Sequence, residues 1–140
     1  MAELKSILSP EEIRERLRPL QSVEGLQLIM LFGSVAAGSM HKRSDIDLAF
    51  LFDMQVDILE LTNKVIRLLR TDDIDVVDLN RASPLLKFIV AKQGTLLYEK
   101  TEGVFNRFYS LAFRRYVDTR KLRDAQTAVV KQFLKTRGLA

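Results

Sequence analysis

Two short apolar runs, joined through a glycine turn and an acidic pair, constrain this chain most. The first, Gln27 to Phe32, lies between Gly25 and Gly33; the second opens with Asp45-Ile46-Asp47 and continues as Leu48-Ala49-Phe50-Leu51-Phe52. Runs this short, bounded by glycine and polar residues, predict strands rather than helices. Gly33-Ser34 leads out of the first strand, and ten residues separate Ser34 from Asp45. In a strand, Asp45 and Asp47 point to one face with their Cα atoms roughly 6.5–7 Å apart. Two carboxylates so placed repel each other unless a cation sits between them, and magnesium, with its preference for oxygen ligands, suits them best. Glycine lets the backbone approach a phosphate closely, and Ser34 adds a hydroxyl to the amide donors of the following turn. A metal beside a phosphate cradle implies phosphoryl or nucleotidyl transfer.

The rest of the chain predicts what those two strands are built into. Ser9-Pro10-Glu11-Glu12 carries a capping box and a proline at the first helical position, so a helix starts there and Pro19 ends it near Arg18. Val35-Ala36-Ala37 predicts a short helix closed by Gly38, and residues 56–69 have the spacing of an amphipathic helix. Ile74 to Leu79 is a third strand; Ser83-Pro84 caps a helix from Leu85 to about Lys92; Thr95 to Tyr98 is a brief extended piece. From Gly103 onward the pattern is helical, with a break expected near Asp118-Thr119. The alternation of helices and strands predicts a small α/β (α+β) domain, a mixed sheet with flanking helices and a helical C-terminal segment at about residues 103–137. A single domain over residues 1–140 is expected, with its signature core at about 27–80.

Asp75 and Asp78 on the third strand are separated by an odd number of residues, so at most one can join Asp45 and Asp47. Asp75 is favoured, because its apolar-acid-apolar setting resembles that of Asp47; Asp78 stays open as the alternative. A third carboxylate would complete a two-metal site and accept the proton of an attacking hydroxyl.

Composition narrows the function classes. Apolar residues make up 47% and charged residues 29%, ordinary values for a globular chain. The absence of cysteine excludes a disulfide framework and a thiolate zinc site, so a reducing cytoplasm is expected. The N-terminus has no apolar signal-peptide core, and no apolar run approaches the roughly 18 residues of a membrane span. Charge is uneven: residues 103–140 hold nine Lys/Arg against Asp118 and Asp124. That tail can attract phosphates or an acidic partner, or be a solvated helix face.

The motif of Gly33, Ser34, ten residues, Asp45 and Asp47, with Asp75 as a later acid, resembles the signature of the minimal nucleotidyltransferases of the DNA polymerase β superfamily. The resemblance implies a nucleoside triphosphate bound through magnesium and transfer of a nucleotide to an acceptor hydroxyl. Asp45, Asp47 and Asp75 would be metal-binding and catalytic, and Gly33 and Ser34 would hold the phosphates. The chain's small size and the segment from Leu85-Leu86-Lys87-Phe88 to Leu97-Tyr98-Glu99 are similar to the antitoxin subgroup, MntA-type proteins paired with a HEPN-domain toxin. That likeness implies AMP transfer from ATP to a tyrosine of the toxin, which silences its ribonuclease activity, and a hetero-oligomer with the toxin. The chain is not itself the HEPN partner, since its only histidine, His41, has no arginine five to seven residues upstream.

Two other functions remain open at this level: nucleotide transfer to a small molecule or an RNA end, and an antitoxin that acts by binding alone. Lys42, Arg43 and Arg81 are further candidates to touch the triphosphate, while His41 reads as a solvated loop residue. Phe105, Phe108, Tyr109, Ala112, Phe113 and Tyr116 recur at helical spacing and are expected in the core; any that are exposed, beside Arg114, Arg115 and Arg120, would suit a protein partner. Direct nucleic-acid binding is not expected, because the acidic face would repel phosphates without metal.

Overall fold

The computed structural model describes residues 8–33 and 46–138. The first element among the described residues is α1 (Pro10–Arg16), in which the Ser9 hydroxyl accepts the Glu12 N–H at 3.2 Å and Glu12 Oε1 accepts the Ser9 N–H at 3.4 Å, the expected capping box. The helix stops earlier than Arg18. Pro19 has no N–H to carry on the α-helical bonding, and the chain tightens into a 3₁₀ turn over Arg18–Ser22 that buries Leu17 and Leu20.

The remaining elements are β1 (Leu26–Phe32), β2 (Ile46–Phe52), α2 (Ile58–Leu69), β3 (Ile74–Asp78), α3 (Pro84–Gln93), β4 (Thr95–Glu99) and α4 (Val104–Thr136). α2 begins two residues later than its apolar pattern because Asp57 caps it, its Oδ1 accepting the Glu60 N–H at 3.1 Å. Ser83 caps α3 in the same way, as expected.

The four strands lie in the order β3-β2-β1-β4. β1 is antiparallel to both β2 and β4, and α2 connects β2 to its parallel neighbour β3. Both faces of this mixed sheet are covered. Ile29, Leu31, Leu48 and Phe50 pack against α1 and α2, whereas Leu28, Met30 and Ala49 pack against α3 and the start of α4. This two-sided burial explains why β1 and β2 read as nearly continuous apolar runs. Gly94 brings the end of α3 down onto β1: a Cβ there would stand 2.5 Å from the Val90 carbonyl oxygen and 3.0 Å from that of Leu31.

α4 runs without interruption through Asp118-Thr119, where a break was expected. The Thr119 hydroxyl donates to the Arg115 carbonyl one turn back at 3.0 Å, and Arg123 donates to the Tyr116 carbonyl at 3.1 Å. Polar side chains here bond within the helix instead of diverting its backbone. The aromatic stripe divides. Phe108 and Ala112 are buried, Phe105 and Tyr109 are half-buried, Tyr116 stacks on Phe88 with centroids 4.2 Å apart, and Phe113 is exposed. Among the described residues, no helix is long and apolar enough to cross a membrane.

Candidate active site

The antiparallel pairing of β1 with β2 sets Phe32 opposite Asp47, and the parallel pairing of β2 with β3 sets Asp47 opposite Asp75. One row across the sheet therefore carries both carboxylates on neighbouring strands, with backbones roughly 4.8 Å apart. Their strand neighbours Ile46, Leu48, Ile74 and Val76 pack into the α1/α2 side of the core. Alternation then sets Asp47 and Asp75 on the other face, at the end of the sheet where β1 finishes and β2 and β3 begin. Asp47 is half-buried and Asp75 exposed.

Gly33 follows Phe32 with φ +80°, a left-handed conformation that glycine adopts without strain. The carboxylate of Asp47 lies against it: a Cβ at Gly33 would run into Asp47 Oδ2 and stand 3.1 Å from its Cγ. The turn out of β1 thus needs glycine on two counts, backbone conformation and the close approach of a functional carboxylate.

Asp78 sits elsewhere. It pairs with Phe50, three residues along β3 from the Asp47–Asp75 row, and its Oδ1 accepts the Asn80 N–H at 3.0 Å. That bond closes a turn at the far end of β3. Arg81, just beyond, is likewise at the end of β3 away from Asp75. Ser34 and Asp45 lie outside the described residues, as do His41, Lys42, Arg43 and the short helix expected at Val35-Ala36-Ala37.

The donors brought together suit a hard cation: carboxylate oxygens on adjacent strands beside a backbone turn. Among the described residues, no three His, Cys, Asp or Glu side chains cluster closely enough to hold a metal ion by themselves. Asp47 and Asp75 supply two candidate ligands.

A second concavity was not foreseen from the sequence. It lies on the same face at the opposite end of the strands, beside Gln27 and Leu51, and is rimmed by Lys87, Arg107 and Arg115. The only signal for it in the sequence was the excess of cations after residue 103.

Known proteins share the sequence and fold of this chain. The sequence profile of the family described as Polymerase beta, Nucleotidyltransferase matches residues 11–103. The chain is 29% identical to the protein adenylyltransferase MntA of Aphanizomenon flos-aquae, over 91% of this chain and 94% of the relative. A crystal structure of a toxin-antitoxin with AMP-PNP contains a chain 32% identical, with a TM-score of 0.71, over 91% of this chain and 99% of that one. A structure of tri-AMPylated Shewanella oneidensis HEPN toxin in complex with MNT antitoxin matches at 28% identity and a TM-score of 0.67, covering 89% of this chain and 98% of the other.

Proposed function

The chain belongs to the polymerase β nucleotidyltransferase family, and on that premise we propose that it is a protein adenylyltransferase antitoxin. It transfers AMP from ATP to a tyrosine hydroxyl of a cognate HEPN-domain toxin, and so inactivates it. The observation that carries this reading is the register of Asp47 beside Asp75, with Gly33 held against Asp47. The likeness to MntA along nearly the whole chain supports a protein acceptor over a small molecule or an RNA end. In this reading the chain is a single nucleotidyltransferase domain working in the cytoplasm.

Asp45, Asp47 and Asp75 would hold magnesium, which when bound neutralises the triphosphate and lowers the pKa of the acceptor hydroxyl. Gly33 and Ser34 would bind the phosphates, glycine by leaving its backbone open to close approach. Asp75, the more exposed carboxylate of the row, would accept the proton of the tyrosine hydroxyl. The phenolic oxygen then forms a bond to the α-phosphorus, the bond from that phosphorus to the bridging oxygen breaks, and pyrophosphate leaves. Fixing donor and acceptor in line is the protein's main contribution.

The test is transfer of label from α-labelled ATP to the HEPN-domain partner. Asp45→Asn and Asp47→Asn each abolish it while the far-UV circular dichroism is retained; undiminished labelling by either variant overturns the assignment. Protection of cells by a double variant that does not label would identify an antitoxin that acts by binding alone.

A further inference from the structure

Among the described residues, α4 is held against the body only near its start, as far as the stack of Tyr116 on Phe88. Its last buried residue is Ala112, and none of the described residues after it is buried. Yet the exposed part is not a polar helix. Leu111, Leu122, Val129 and Phe133 are 43%, 60%, 68% and 52% exposed. Their spacings of eleven, seven and four residues return each to within roughly 40° of the same direction at 100° per residue, so they share one stripe about 33 Å long, interrupted between Leu111 and Leu122 by Arg115 and Asp118. A helix gains most of its stability in water from packing an apolar face, and a stripe of this length left to solvent marks an interaction surface.

The base of the stripe opens into the second concavity. Leu111 and Arg115 line it together with Lys87, Arg107 and Phe108, around a volume of about 370 Å³. Among the described residues none of the three cations forms an ion pair. Burial holds the Lys87 ammonium below its ordinary pKa, and the Arg115 guanidinium adds to that; Asp78 acts in the opposite sense. Three cations gathered over an apolar floor repel one another and are complementary to carboxylates.

We infer that the α4 stripe and the basic groove at its base are the docking surface for the acceptor protein, which presents a helix with an apolar ridge flanked by carboxylates. This rests on the protein-adenylylating reading above. Charge argues against a second copy of this chain as the occupant. Residues 103–140 carry nine Lys/Arg and two Asp, so two such helices laid together would set like charges against each other. An acidic partner gains instead from the same field, both in rate of encounter and in register.

The experiment mixes the full-length chain with its HEPN-domain partner and measures binding by sedimentation velocity and AMP transfer by labelling. The variant Leu122→Asp/Val129→Asp/Phe133→Asp alters only exposed positions beyond the folded body, and Arg107→Glu/Arg115→Glu tests the groove separately. Each is expected to weaken the complex roughly 100-fold or more and to raise the apparent KM for the partner, with binding of magnesium-ATP to the chain alone unchanged. Wild-type binding is also expected to weaken as salt is raised. Partner binding by the stripe variant within twofold of wild type overturns the inference, as does a self-dimer of the wild-type chain that the stripe variant dissolves. If both variants label the partner with unchanged KM, the docking surface is wrong and the adenylyltransferase reading stands. If the wild type binds through this surface without labelling, the docking surface stands and the adenylyltransferase reading falls.

Discussion

The carboxylate of Asp47 occupies the space beside Gly33 that any other residue would need for its Cβ. A turn and a strand are thereby locked to each other at the end of the sheet where the nucleotide is proposed to bind. Gly33→Ala meets two penalties there. The left-handed φ costs roughly 1–2 kcal/mol for a residue with a Cβ, and the new methyl group displaces the carboxylate. A drop in the urea unfolding midpoint together with loss of AMP transfer is the expected result. Wild-type transfer by this variant would show that the position of Asp47 is not critical.

Register separates the two candidate third acids. Asp75→Asn is expected to lower the transfer rate by about two orders of magnitude or more without unfolding the protein, the scale of a lost proton acceptor. Asp78→Ala should leave the rate within a few-fold and cost about 1 kcal/mol of stability, since it loses the bond to the Asn80 N–H. Single-turnover rates and urea unfolding of both variants decide the matter; the reverse pattern would make Asp78 the functional acid.

Removal of magnesium should act on catalysis and not on the fold. With excess chelator, transfer of label to the partner is expected to stop, and added magnesium to restore it. The unfolding midpoint of the nucleotide-free protein should stay the same, because its core is apolar and both faces of the sheet are covered without a metal. Transfer at an undiminished rate in chelator would exclude the metal-dependent mechanism.

Lys87 gives a pH signature. Its pKa in the folded protein lies below the ordinary value of 10.5, chiefly through burial. Between the folded value and 10.5 the unfolded chain binds more protons than the native state, so this group makes stability rise with pH across that window. Below the window the charged amine costs stability in full. Lys87→Met is therefore expected to be the more stable protein at neutral pH, with its advantage shrinking as pH climbs toward 10.5. A constant difference in unfolding free energy across that range would contradict it.

Local chemistry made most of the elements legible. Ser9-Pro10 and Ser83-Pro84 announce helix starts because the serine hydroxyl accepts the N–H three residues on, from Glu12 and Leu86, while proline at the first helical position has no N–H to leave unpaired. The glycine-bounded apolar runs announce buried strands. Three boundaries went differently because they depend on bonds that spacing does not report: the 3₁₀ turn around Pro19, the start of α2 behind its Asp57 cap, and the unbroken course of α4 through Thr119. The aromatic stripe was misjudged in part for a related reason. Periodicity shows that residues share a helix face, but not how far the body of the protein extends beneath them; here burial ends at Ala112, and Tyr116 stacks on Phe88 one turn further on.

By itself, the sequence determined the helix starts, the two central strands and the acidic motif after Gly33-Ser34, because capping, turn geometry and strand alternation act over a few residues. Only the tertiary structure set Asp75, and not Asp78, opposite Asp47, since the register of two parallel strands depends on how α2 carries the chain back across the sheet. Only it gathered Lys87 from α3 with Arg107 and Arg115 from α4, and left the far half of α4 with no buried residue among those described. The register and the cation cluster join residues distant in sequence, and packing of the two cores on either side of the sheet is what holds them.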